Sequence, residues 1–137
     1  MTQKNKTQLL KVSLIIFAVI TLVYGVGYLL FPQFMIKLSG GVEVSSAWLR
    51  WPGGTLVALG IGAILVYNDL EKQNTLIITF ALGMLLTGLA LLYSLFFDSI
   101  AKTWFAAIPA IVSLISSALL WYARSQAKHI LKKGKSD

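Results

Sequence analysis

The chain lacks several residue types on which protein chemistry usually depends. It contains no cysteine, one histidine and only five acidic residues among 137 positions. The absence of cysteine excludes disulfide bonds, thiolate nucleophiles and cysteine-ligated zinc or iron–sulfur sites. His129 stands among lysines, without a base, nucleophile or metal ligand near it in sequence, so we interpret it as a solvated side chain. We therefore expect no catalytic residue, no metal site, no cofactor and no enzymatic activity.

Charge is also scarce, and this scarcity indicates where the protein resides. Charged residues make up 12% of the chain and hydrophobic residues 57%, against roughly 25% and 45–50% in soluble proteins. Each long apolar stretch could cross a hydrocarbon layer of about 30 Å as a helix. Backbone amides in hydrocarbon must bond within the protein, and the stretches lack the alternation of barrel strands. We predict one all-α domain, a transmembrane up-down four-helix bundle spanning positions 9–31, 48–67, 74–97 and 103–123.

The basic residues that give the net charge of +7 are unevenly distributed. Nine lie in the two terminal segments and the loop at 67–75, whereas the opposite side carries Lys37, Arg50 and Lys102. The positive-inside rule therefore predicts a multi-pass protein of the plasma membrane with both termini in the cytoplasm. The excess charge is then explained by attraction to anionic lipid of the inner leaflet, and we expect no nucleic acid partner.

A short helix is predicted between the first two stretches. Pro32 suits the first position of a helix, and the pair Gly40-Gly41 suits its end. Apolar residues recur beside Lys37, so the segment could lie in the outer membrane interface. An irregular loop held by Phe34 is the alternative.

The second span contains a proline close to its start. If Ser45 or Ser46 caps this helix, Pro52 lies inside it and should produce a kink. A helix that begins at Pro52 would be short for a membrane crossing. Length therefore favours the longer, kinked helix.

Small residues recur every fourth position in the second and third spans. Such stripes let helix backbones approach closely in a membrane, where lipid tails are as apolar as leucine. The pattern predicts a helix-packing seam, either internal or between copies of the chain, and an internal seam is our preferred interpretation. The stripes are Gly54, Ala58 and Gly62 in the second span and Thr79, Gly83 and Thr87 in the third.

Two groups of residues are candidates for ligand binding. Arg50 is a charge within an apolar stretch and is flanked by Trp48 and Trp51, so it could point inward and bind an anionic or carboxylate-bearing ligand. The alternative is that Arg50 extends to the membrane interface. Tyr24, Tyr28 and Ser94 could line a polar pocket, although hydroxyl groups in such helices more often bond backbone carbonyls.

The pattern of residues resembles a known family. Tyr24-Gly25 precedes Pro32, and Arg50 is followed by Gly53-Gly54 and a run of small residues to Gly62. This arrangement is similar to that of uncharacterised four-helix bacterial membrane proteins, in which a glycine-bearing first helix ends at a proline. The resemblance implies an integral membrane protein without an established function, and it supplies no catalytic residues. Pro52, between the arginine and the glycine pair, departs from the family pattern.

Two functional hypotheses follow. The first is a non-enzymatic membrane protein that binds lipid or a small apolar ligand, or that serves as a subunit of a membrane assembly. Its partners would be membrane lipids and a second copy or another membrane protein. The alternative is a channel or transporter for a small solute, formed by oligomerisation through the Gly54, Ala58 and Gly62 face, because four helices rarely enclose an aqueous path.

Overall fold

The fold is known from a computed structural model that describes residues 2–40, 45–97 and 104–131. Every regular element in these residues is a helix. Four helices are long and apolar enough to span a membrane, which confirms the all-α prediction with four spans. The helices are α1 (Gln3–Leu30), α2 (Pro32–Ser39), α3 (Ser46–Asn68), α4 (Asn74–Phe97), α5 (Trp104–Gln126) and α6 (Lys128–Leu131).

The long helices associate as two close pairs. Helix α1 packs mainly against α3, and α4 packs mainly against α5. A smaller interface between α1 and α5 joins the pairs, whereas the consecutive helices α3 and α4 touch at few positions. In the second pair, Ser117 lies opposite Ala81, and Arg124 lies opposite Asn74. The contacts therefore run in opposite directions along the two helices, as expected for antiparallel neighbours.

Glycine makes the close contact between α1 and α3 possible. A Cβ atom added at Gly53 would lie 2.6 Å from the backbone nitrogen of Leu29, and one at Gly25 would lie 2.8 Å from that of Val57. Further along α3, a Cβ atom at Gly60 would lie 2.6 Å from the Leu22 side chain. These glycines form the seam that the small-residue pattern predicted, but on a different face of the helix.

The predicted packing residues are placed as follows. Added Cβ atoms at Gly54 and Gly83 would meet nothing within 4 Å, and Ala58 is exposed. Gly62 faces the Phe80 ring of α4, at 3.4 Å from an added Cβ atom. The internal seam of α3 therefore follows Gly53 rather than its neighbour Gly54, because adjacent residues on a helix point about 100° apart. Whether the Gly54 face packs against another copy stays a prediction.

A hydrophobic core fills the end of the bundle that carries the termini, which we call the terminal end. Phe17 of α1 and Phe80 of α4 stack there with ring centroids 4.9 Å apart. Leu10 is fully buried, and Leu131 of α6 is 7% exposed in the same cluster. The short helix α6 therefore packs onto the bundle. Lys11 also contacts the Tyr67 ring at this end, 4.8 Å from its centroid.

At the opposite end, which we call the α2 end, a short helix follows α1. Pro32 occupies its first turn, and Gly40 ends it with φ of +63°, so the predicted helix is confirmed. Ile36 is buried at 9% exposure, while Phe34 is exposed. The Gln33 amide donates a hydrogen bond of 2.8 Å to Ser46, which ties α2 to the start of α3.

The predicted longer form of the second span is also confirmed. Helix α3 begins after Ser45 and contains Pro52. Ser45 makes no side-chain capping bond, although its carbonyl accepts a hydrogen bond from the Trp48 amide.

Candidate ligand site

An interior cavity lies between the four long helices, on the α2 side of the Phe17–Phe80 stack. Its volume is about 180 Å³. Residues from α1, α3, α4 and α5 all contribute to its wall, so the cavity exists only when the two helix pairs are together. The wall consists of Ile20, Thr21, Tyr24, Tyr28, Leu56, Met84, Thr87, Leu91, Pro109, Val112 and Ser113.

Helical spacing explains why these residues share one cavity. On α1, Thr21, Tyr24 and Tyr28 are separated by three and four positions and therefore form one stripe. On α4, the lining residues from Met84 through Leu91 follow the same spacing. Pro109 lies inside α5 and removes one backbone hydrogen bond of that helix beside the cavity.

The cavity wall is apolar except for hydroxyl groups. Thr21 donates to the carbonyl oxygens of Phe17 and Ala18, at 2.9 and 3.2 Å, so its hydroxyl is satisfied within its own helix. The tyrosine rings of this stripe lie close together, with centroids 6.1 Å apart. The remaining hydroxyls form no hydrogen bond within the described part of the chain. They belong to Tyr24, Tyr28, Thr87 and Ser113.

Ser113 is the most informative of these side chains. It is only 6% exposed. Within the described residues, no fully enclosed side-chain oxygen lacks a hydrogen-bond partner, so the Ser113 oxygen, which has none, retains some accessible surface. The hydroxyl is therefore accessible from the cavity and free to bond a molecule inside it. None of the described residues that line the cavity is charged. Because an isolated charge is costly in such surroundings, the arrangement suits an uncharged group with hydrogen-bonding capacity.

A second, larger depression lies outside the bundle between α1 and α2. This groove has a volume of about 730 Å³ and is open along one side. Phe34, Met35 and Leu38 of α2 form one wall, and Val23, Val26 and Gly27 of α1 lie in the other. Tyr24 borders both the groove and the interior cavity. Among the described residues, Tyr24 is the only one that lines both spaces.

The structure separates the two predicted groups of site residues. Tyr24 and Tyr28 line the cavity together, whereas Ser94 does not line it, and whether the cavity binds a ligand stays a prediction. Arg50 is exposed, and Trp48 and Trp51 are 72% and 75% exposed. The two tryptophans flank a shallow surface depression with Ala47, and neither they nor Arg50 line the cavity.

Sequence reasoning missed two cavity residues that matter for chemistry, Thr87 and Ser113. Thr87 was predicted only as a member of the small-residue stripe of the third span, and Ser113 was not predicted. A stripe of Thr21, Tyr24 and Tyr28 on one face of α1 was the available signal for a polar-lined space. The partners on α4 and α5 depend on how those helices pack. Within the described residues there is no group of three or more side chains that could hold a metal ion.

The four apolar spans define this protein as a helical multi-pass membrane protein. Comparison with known families identifies it further. The chain belongs to the family described as Domain of unknown function (DUF4345), which matches residues 9–123. The match covers all of the cavity wall and confirms the resemblance seen in the sequence. No curated protein and no solved structure matches the chain.

Proposed function

We propose that this protein is a non-enzymatic membrane protein that binds a lipid or a small apolar molecule in its interior cavity. The observation that carries the proposal is the set of unpartnered hydroxyls on an otherwise apolar wall. Ser113 is the most buried member of this set, and Tyr24 and Tyr28 extend it along α1. The described wall offers no charge, no metal-ligand cluster and no nucleophile with a base beside it.

Size and polarity restrict the ligand. An engineered cavity of about 150 Å³ in a soluble protein holds one benzene molecule, so a space of about 180 Å³ holds a group of similar size. A hydrogen bond inside a membrane protein contributes about 0.6 kcal/mol on average and up to about 1.7 kcal/mol. Several hydroxyls around one polar atom of the ligand therefore contribute modestly to the binding free energy and fix the orientation of the ligand. An apolar group with a single hydroxyl, carbonyl or amide fits this description.

Photolabelling tests the proposal directly. The probe is an eight-carbon alcohol that carries a diazirine, applied to the purified protein in lipid nanodiscs, with the labelled residues found by mass spectrometry. We expect labels on cavity residues such as Met84 and Tyr24, and loss of labelling when unlabelled octanol competes. Ser113→Leu should fill the cavity and abolish these labels. Labels that are spread over exposed positions and unchanged in this variant would contradict the proposal.

A second comparison isolates the hydroxyl contribution. Ser113→Ala removes one hydroxyl with little change in volume, so it should weaken labelling by the alcohol probe and leave labelling by the matching alkane unchanged. Ser125→Ala is the control, because Ser125 is exposed and bonds only the Tyr122 carbonyl of its own helix. An equal effect of Ser113→Ala on both probes would show that the hydroxyls do not select the ligand.

We further propose that both termini face the cytoplasm and that the basic terminal segments contact anionic lipid of the plasma membrane. The contacts of Lys11 with Tyr67 and of Arg124 with Asn74 support a common location of these basic residues at the terminal end. Since the chain has no cysteine, Asn5→Cys and Lys135→Cys introduce unique labels. Both should react with an impermeant maleimide only after the cells are opened. Labelling of either position in intact cells would contradict the orientation.

An oligomeric channel or transporter is the second candidate. Its support is the unfilled space beside Gly54 together with the exposure of Ala58, which leave this face of α3 without a partner among the residues that the structure describes. Native mass spectrometry of the mildly extracted protein separates the candidates. A defined oligomer that Ala58→Phe disrupts would support a shared path, whereas a monomer would exclude it.

A further inference from the structure

Among the described residues of the cavity wall, one is exposed at the surface of the bundle. Thr87 lines the cavity and is nevertheless an exposed residue of α4. The neighbouring face of α4 packs on α5, because Ala81 accepts the Ser117 hydrogen bond and an added Cβ atom at Gly88 would lie 2.7 Å from Leu114. The exposed edge of Thr87 is therefore directed away from α5 and toward the side of α3.

The sparse contact between α3 and α4 leaves a gap on that side. Gly62 meets Phe80 near the terminal end, where a short loop joins the two helices. Toward the α2 end, Gly83 has no neighbouring atom within 4 Å of an added Cβ atom. From the sparse contact between α3 and α4, the free space at Gly83 and the exposure of Thr87, we infer an opening between Leu56 and Leu59 of α3 and the Gly83–Thr87 turn of α4, and we call it the α3–α4 gap.

We propose that the ligand is a single-chain membrane lipid with an uncharged polar end, held with that end among the cavity hydroxyls and with its tail leaving through the α3–α4 gap. This inference rests on the proposed function and specifies the class of ligand. Thr87 lies at the mouth of the cavity, and Ser113 lies in its buried wall.

Volume supports a tail that extends outside the cavity. A space of about 180 Å³ encloses a short chain or one ring, which is far less than a membrane lipid. A tail in the gap would meet apolar side chains on one side and lipid on the other. Because lipid tails are as apolar as these side chains, a long tail can leave the protein without a hydrophobic penalty. The cavity then selects the polar end, and the gap accommodates any apolar tail.

The absence of charge around the cavity supports an uncharged polar end. Neither a phosphate nor a carboxylate would find a basic partner among the described residues of its wall, and an unpaired charge in such a space is strongly disfavoured. Long-chain alcohols, monoacylglycerols and fatty amides have the required chemistry.

The experiment compares two diazirine alcohols, of eight and sixteen carbons, in nanodiscs that contain the full-length protein. Ala90→Phe narrows the mouth, because residue 90 lies three positions after Thr87 and its side chain leans over that turn. Ala58→Phe is the matched control, since Ala58 is also an exposed alanine within a span but lies on the Gly54 face. Gly83→Leu provides a second narrowing variant from the other side of Thr87, at a site with free space.

We expect Ala90→Phe and Gly83→Leu to lower cavity labelling by the sixteen-carbon probe at least about tenfold, with little effect on the eight-carbon probe. Ala58→Phe should change neither. If both probes label the cavity and the narrowing variants affect them equally or not at all, the tail does not use this gap and the inference is wrong. If neither probe labels the cavity in the unmodified protein, the proposed function itself fails.

The groove beneath α2 provides the competing route. Val23 lines that groove and is 65% exposed, while Val19, one turn earlier on α1, is 54% exposed and lies outside it. If Val23→Trp lowers labelling by the longer probe and Val19→Trp does not, the tail leaves past Tyr24 instead. That result would overturn the α3–α4 gap and retain the single-chain ligand.

Discussion

Two adjacent glycines on α3 provide the sharpest test of how the bundle is held together. Gly53→Ala would place a Cβ atom 2.6 Å from the Leu29 nitrogen and 3.0 Å from the Gly25 carbonyl oxygen. Gly54→Ala, one position later, would place it where nothing lies within 4 Å. Both substitutions remove the same backbone freedom from the same helix, so their difference isolates the contact with α1.

The structure sets the size of the effect. Ordinary contact begins at 3.4 Å, so α1 and α3 must separate by about 0.8 Å at this point. The opposing atoms belong to backbone and cannot rotate away. Overpacking of this kind costs about 1–3 kcal/mol. We expect Gly53→Ala to lower the free energy of unfolding by that amount relative to Gly54→Ala, which should be neutral or slightly stabilising because alanine favours a helix.

The assay is reversible unfolding in mixed micelles with increasing dodecyl sulfate, followed by circular dichroism. Gly25→Ala gives an independent check, since its added Cβ atom would lie 2.8 Å from the Val57 nitrogen. Once the helices have separated for one alanine, the second should cost less, so the double variant should be less destabilised than the sum of the two. Equal unfolding free energies for Gly53→Ala and Gly54→Ala, within about 0.5 kcal/mol, would refute the assignment of the seam.

Three further predictions concern single contacts. Ser117→Ala removes the 2.7 Å hydrogen bond to the Ala81 carbonyl and should lower the unfolding free energy by about 0.6 kcal/mol, and by no more than about 1.7 kcal/mol. Arg124→Ala and Asn74→Ala each break the 2.9 Å bond between these side chains, so a double-mutant cycle should give a coupling of at least about 0.5 kcal/mol. Gly40→Ala forces a side chain to adopt φ of +63°, at a cost of about 1–2 kcal/mol, and should loosen the end of α2 and accelerate tryptic cleavage after Lys37.

Each of these predictions has a control in the same chain. Ser125→Ala removes a hydrogen bond within one helix turn at an exposed position and should leave the unfolding free energy unchanged. Lys128→Ala removes an exposed charge near Arg124 and should show no coupling to Asn74. Tryptic cleavage after Lys72 should be the same with and without Gly40→Ala. A general increase in cleavage would indicate global destabilisation and contradict a local role for Gly40.

Local chemistry was sufficient to predict the helices. The length of each apolar stretch fixes a membrane helix, and Pro32 and Gly40 mark the ends of α2 through their own backbone preferences. Pro52 was correctly placed inside α3, because a later start would have left the span too short. These features depend on residues close together in sequence.

Features that depend on how the helices pack could not be predicted from residues close together in sequence. The pair Gly53-Gly54 contains two equally small residues, and only the position of Gly25 on α1 decides which of them faces inward. Tyr24 and Tyr28 were recognised as a possible pocket because they share one helix face. The opposite wall, with Thr87 and Ser113, required knowledge of how α4 and α5 pack. Arg50 was singled out as the charge in an apolar stretch, although it lies outside the cavity.

The distribution of hydroxyl bonds fits the order in which the chain is synthesised. Ser13 and Thr21 are buried in α1, which is made before the other described helices, and each donates to a carbonyl of its own helix, Ser13 to Leu9 at 2.8 Å and Thr21 to Phe17 at 2.9 Å. Such a helix can enter the bilayer alone without an unsatisfied donor. Ser117, whose acceptor belongs to a different helix, lies in α5, and that acceptor has already been inserted with α4 when α5 arrives. The Ser117 hydrogen bond, which needs a second helix, therefore forms at a late step of biogenesis, when that helix is already in the membrane.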